Sequence, residues 1–137
     1  MNTTYYLNLI MGNVFNTKTD ILLPTQYWLG LSTTAPNMSG GSVSEPIAIA
    51  SGYNRVLLST LSVPVNGVVV NDGPVSFNES LSSWGVIPYY TIYDSEVGGN
   101  LLMYGNLRII RTVEEGTIIT IKTGELVITL ENPPVTP

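Results

Sequence analysis

Apolar and polar residues alternate most regularly from Tyr27 to Thr33. Tyr27, Leu29, Leu31 and Thr33 fall on one side, and Trp28, Gly30 and Ser32 on the other. A period of two is that of a strand, and leading aromatics suit a pleated, mostly buried surface. Pro36 ends the ladder because it brings no N–H. Strand patterns return in Gly52 to Leu58, Gly67 to Val70, Val75 to Phe77, Val86 to Asp94, Leu101 to Gly105, Thr117 to Lys122 and Glu125 to Leu130. Turn signals separate them. Asn66-Gly67 predicts a type I′ hairpin turn, whose two central residues need positive φ. Asn71-Asp72-Gly73-Pro74 turns the chain again, and Thr123-Gly124 joins the last two strands. The Gly-rich stretch Glu96 to Asn100 predicts an antiparallel hairpin between the strands on either side of it. Pro88, early in its run, predicts an edge position, a strand start or a bulge.

Helical spacing occurs once. Tyr6, Leu9, Ile10 and Val14, with Thr3 or Thr4 as cap, predict a helix over 3–15. It reads either as a lid on its own core or as an arm for a neighbouring subunit. Ile21 to Pro24 reads as extended. The elements together predict a mainly all-β fold: an antiparallel β-sandwich, with a jelly roll as one arrangement, and one short N-terminal helix. One domain spans 1–131. The Pro-rich tail, 132–137, reads as a frayed end or an extended arm.

Composition changes the picture in one respect. Hydrophobic residues make up 44% of the 137 positions and charged residues only 11%, against about a quarter charged in ordinary soluble domains. Mean hydropathy is +0.25, with no apolar run near the roughly 20 residues a membrane helix needs. Two readings follow: surplus apolar surface covered by copies of the chain, or a sandwich kept soluble by Ser, Thr and Asn. The net charge is −5, and the cations Lys18, Arg55, Arg108, Arg111 and Lys122 are scattered. A nucleic-acid groove needs them clustered, so neither nucleic acid nor membrane is expected as a partner. Arg55 lies between Tyr53 and Leu57, which makes it a buried cation with a carboxylate partner or a surface residue flat on an aromatic ring.

With no His and no Cys, the His- and Cys-based nucleophile arrangements and the usual zinc ligand sets are absent. The acids fall mostly in turns: Asp20, Glu45, Asp72, Asp94, Glu96, Glu114 and Glu115. Turn carboxylates ordinarily solvate a surface. Asp94-Ser95-Glu96 with Asn100 offers hard oxygens for calcium without EF-hand spacing, and reads better as a polar hairpin turn. The sequence therefore nominates no catalytic residue, no cofactor and no metal, and the expectation is that the chain is not an enzyme. Candidate contacts lie elsewhere. Tyr89, Tyr90 and Tyr93 occupy both faces of one strand, so at least one is expected to reach outward, for a sugar ring or a subunit. Asn37, Ser39 and Ser42 belong to a long Gly/Ser/Asn loop, 36–46, of the kind that contacts a ligand or partner.

Several motifs recur in a fixed order: Tyr27-Trp28-Leu29-Gly30-Leu31-Ser32-Thr33-Thr34-Ala35-Pro36, Val43-Ser44-Glu45-Pro46, Gly52-Tyr53-Asn54-Arg55-Val56 and Ser83-Trp84-Gly85. After them come Asp94-Ser95, Gly98-Gly99-Asn100-Leu101-Leu102, Tyr104-Gly105, and Gly124-Glu125-Leu126 leading into Ile128-Thr129-Leu130. Over roughly residues 5–131 the chain resembles a family of small tailed-bacteriophage virion structural proteins, often labelled phage tail fibre proteins. The resemblance implies a non-enzymatic virion component assembled in the host bacterial cytoplasm. Its expected partners are copies of itself and other virion proteins. A capsid decoration, a collar position and a tail or fibre position are all compatible with it. The competing class is a host-recognition module that binds cell-surface glycan through the tyrosines and the 37–46 loop.

Overall fold

The computed structural model describes residues 1–17, 22–46 and 48–130. Lys18, Asp20, the first residue of the stretch Ile21 to Pro24, and the tail at 132–137 lie outside the described residues. The predicted helix is present as α1 (Thr4–Val14), capped by the Thr3 side chain, which accepts from the Tyr6 N–H at 3.3 Å. The cap also ties the helix to the sheet, because the Thr3 hydroxyl donates to the Leu101 carbonyl at 2.7 Å. Tyr6 and Leu9 face the core. Asn16 ends the helix in the left-handed region (φ 53), and the Thr17 N–H returns to the Gly12 carbonyl, which together form a Schellman closure.

The strand at Tyr27 to Thr33 is β1 (Trp28–Ser32), and it is interior. It pairs with β2 (Val56–Leu57) on one side and β5 (Gly85–Tyr93) on the other, and β6 (Leu101–Val113) closes the order β2-β1-β5-β6. All pairings are antiparallel, with Leu29 opposite Ile92 and Leu31 opposite Tyr90. β3 (Val68–Val70) pairs with β8 (Val127–Thr129), and β4 (Val75–Ser76) with β7 (Thr120–Ile121). A helical turn, α2 (Ala48–Ser51), precedes β2. The fold is all-β and antiparallel with one N-terminal helix of any length. Among the described residues the remaining strands form two separate two-stranded ladders, not the second continuous sheet of a jelly roll.

One apolar cluster joins these parts. Leu9 comes from α1, Leu29, Leu31, Ile92 and Leu102 from the sheet, and Val75, Phe77, Ile119, Ile121 and Leu126 from the ladders and the segments beside them. A smaller cluster of Tyr93, Leu101 and Tyr104 is covered by Met1, Met38 and Val43.

Turn chemistry acts where the sequence placed it. Asn66 (φ 53) and Gly67 (φ 75) form a two-residue turn closed by reciprocal 3.0 Å bonds between Val65 and Val68. Pro88 lies in a register break: Ile87 pairs with Arg111 while Tyr89 pairs with Asn106. Proline has no N–H to offer β6, and Leu107 to Ile110 arch away opposite it. The arch breaks the alternation, yet pairing resumes at Arg111 opposite Ile87, so β6 runs on to Val113, well past the expected end at Gly105. The two strands around Thr123-Gly124 join different ladders instead of pairing with each other. Between them sits the fully buried Asn71, whose amide donates to the Lys122 carbonyl at 2.9 Å and whose carbonyl accepts from the Leu126 N–H at 3.0 Å.

Candidate functional site

The 36–46 loop is built on β1. The Thr33 N–H donates to the Ser44 carbonyl at 2.9 Å, and the Ser44 N–H to the Ser32 hydroxyl at 3.0 Å, so the loop leaves and re-enters at one place. At its tip Asn37, Ser39 and Ser42 are exposed and gathered together. The Asn37 side-chain carbonyl accepts from the Ser39 hydroxyl at 2.6 Å and the Gly41 N–H at 2.9 Å, and its amide donates to the Ser42 hydroxyl at 3.3 Å. These groups direct their hydrogen bonds at one another.

Below the tip the loop delivers Glu45 to the sheet. Its carboxylate accepts from the Tyr53 hydroxyl and from Arg55 Nη2, the latter at 2.7 Å. Arg55 lies flat on Tyr93, with Cζ 3.5 Å from the ring centroid, and caps the β5–β6 turn through the Ser95 and Gly98 carbonyls at 2.8 and 2.7 Å. Arg55 therefore combines the carboxylate partner of one reading with the aromatic bed of the other, but it is no surface residue, since its side chain is only 8% exposed. Burial first, and then the Glu45 charge, push the Tyr53 phenol well above its usual range. The Asp94 carboxylate accepts from the Asn100 N–H at 2.7 Å and its side-chain amide at 3.0 Å, as a polar hairpin turn does. Among the described residues no group of three or more acidic side chains is placed to hold a metal ion, and no helix is long and apolar enough to cross a membrane.

The three tyrosines of β5 part company. Tyr93 is only 8% exposed, between Arg55 and the smaller cluster. Tyr89 is half-buried. Tyr90 is half-buried as well, packs on the main core and lines a cleft on the β6 side. The structure thus brings Asn37, Ser39 and Ser42 together near Tyr93, through Met38 and Val43, and leaves Tyr90 in a separate place.

That cleft, of about 510 Å³, is lined by Tyr90, Asn106, Arg108, Arg111, Glu125 and Val127 among others. Arg111 Nη2 donates to the Thr120 carbonyl at 3.2 Å and stands 3.7 Å from Glu125, while Arg111 Nε is buried with no acceptor among the described residues. In the sequence these arginines count only as scattered cations, because Arg108 sits in the arch, where the period of two fails, and Arg111 just beyond it, where pairing with Ile87 resumes. A second groove, of about 420 Å³, lies between α1 and the β3–β8 ladder and is almost wholly apolar, with Ile10, Leu61, Val69, Ile128 and Leu130 in its walls.

A family model described as podophage GP4 fiber I protein gp80 matches residues 2–129 of the chain. No curated protein matches it.

Proposed function

The chain belongs to the podophage GP4 fiber I protein family, and on that premise we propose that it is a non-enzymatic structural component of the phage tail or its fibres, built into the particle in several copies. The family match, running over almost every described residue, carries the proposal. Surface chemistry supports it. Large apolar side chains stand open to solvent along the molecule: Phe15 at 66%, Val63 at 82%, Ile110 at 62% and Leu130 at 63%. Spread over a chain so poor in charge, they fit a protein whose surface is partly covered by neighbours.

Light scattering over a range of concentrations tests the self-assembly part. A stable oligomer that persists on dilution is expected, and a monodisperse monomer throughout would overturn it. Host-glycan recognition draws less support from the geometry. Tyr93 is buried beneath Arg55, and the polar tip of the 37–46 loop satisfies itself.

A further inference from the structure

We propose that the outer edge of β6 receives an extended, acidic strand from another virion protein, seated in the cleft between Arg108 and Arg111. The proposal rests on the virion reading above and adds a site and a partner chemistry to it.

The four-stranded sheet ends at β6. The beginning of that edge is already paired within the chain. Tyr104 donates its N–H to the Met1 carbonyl at 2.9 Å and accepts from the Met1 amino group at 2.7 Å; Asn2 faces Met103, and the Thr3 N–H bonds the Leu102 carbonyl at 2.9 Å. Among the described residues no segment continues this pairing beyond Tyr104. In an antiparallel ladder every second residue turns both backbone groups to the same edge. Tyr104 turns both to Met1, and the register stays regular from Tyr104 to Asn106. Asn106 therefore aims its N–H and C=O outward too, into the mouth of the cleft. An edge in this state is a template for another strand.

Charge selects the occupant. The chain carries −5 overall, yet this cleft holds two of its five cations and one acid. Arg55 is neutralised by Glu45 at 2.7 Å, whereas Arg108 has no ion pair among the described residues and Arg111 stands 3.7 Å from Glu125. Among the described residues the buried Nε–H of Arg111 is a donor that lacks an acceptor. Exposed Ile109 and Val127 flank the arginines and suit a strand that alternates acidic with apolar residues. A second copy is the poorer candidate, because none of its described strands carries an acidic residue. The arch at Leu107 to Ile110 keeps the backbone pairing short and leaves the arginines to select the partner.

The probe is a synthetic peptide of about eight residues, an ordinary strand length, alternating Glu and Val, with a Lys–Val peptide as control. Each is titrated into the intact protein and followed by amide NMR. The Glu–Val peptide is expected to bind, with shifts confined to Gly105 to Ile109 and Val127, and the Lys–Val peptide to leave the spectrum unchanged. Added salt weakens binding, and Arg108→Glu, at an exposed position, weakens it about ten-fold, as loss of a charge-assisted contact should, with an unchanged urea midpoint. Absence of binding at millimolar peptide, equal binding of both peptides, or shifts elsewhere overturns the proposal. So does light scattering in which Arg108→Glu dissolves an oligomer of the wild type, since the cleft would then serve a second copy. Particle association is scored separately: a protein that sits on particles but ignores the peptide loses only the cleft, and one that binds the peptide but never joins particles keeps the acidic-strand site but loses the virion reading and, with it, the virion partner.

Discussion

Tyr53 puts its ring in the core and its hydroxyl between β1 and Glu45. The ring stands edge-on to Trp84 at 5.4 Å, and the hydroxyl accepts from the Leu31 N–H at 3.0 Å while donating to Glu45. Tyr53→Phe keeps the ring and leaves an interior N–H without an acceptor. The expected cost is about 1–3 kcal/mol, read as a lower urea midpoint with an unchanged slope. Burial raises the folded-state pKa of this phenol, as it does for Tyr6, Tyr93 and Tyr104. Unfolded tyrosine ionises near 10, so these groups stabilise the fold fully below about pH 10, and the contribution is lost as pH rises from there toward the folded pKa values. Unfolding free energy measured from pH 8 to 12 should fall at the alkaline end, and less steeply in Tyr53→Phe. Gly30 faces the same hydroxyl: a Cβ there would stand 2.5 Å from Thr91 Oγ1 and 2.9 Å from the Tyr53 oxygen. Gly30→Ala is expected to cost about 1–3 kcal/mol, and Thr91→Ala in the same chain to recover part of it. The role of Arg55 was half legible in the sequence. Its aromatic bed and its acid partner appeared as alternatives because Tyr93 and Glu45 approach it from distant parts of the chain.

Elements whose cause is local were readable. The Asn66-Gly67 turn, the Thr3 cap and the break at Pro88 each follow from what one or two residues can do with φ or an N–H, and each is present. Pairings set by tertiary contacts were not. Thr120–Ile121 and Val127–Thr129 look like a hairpin in sequence, yet each finds its partner some fifty residues earlier in the chain. Asn71 keeps them apart. It is fully buried, and its side chain bonds the Gly73 and Lys122 carbonyls and the Leu126 N–H. A polar residue in a Gly-Pro turn gives no sequence signal for that task. Asn71→Ala should destabilise by about 2–3 kcal/mol, since several interior backbone groups lose their partner together. Hydrogen exchange should show the loss spreading from Leu126 into β8 and leaving β1 protected.

At the scale of the whole molecule, the described residues of a charge-poor chain form one four-stranded sheet, two short ladders and a capping helix, and still leave much apolar surface open. Composition alone offered that surplus as one of two readings, beside solubility through Ser, Thr and Asn. Its location was not legible, because the arch of β6 and the groove beside α1 exist only once distant strands meet. The nominated loop residues do gather at one tip, whereas the arginine cleft belongs to residues the alternation could not place. Quantitative mass spectrometry of purified particles, washed at high salt, decides whether this protein is a built-in part of a phage particle. A built-in part stays with the particles in a fixed ratio of several copies to each particle. Its absence from washed particles, while it remains abundant in the lysate of infected cells, would show that it is no virion component.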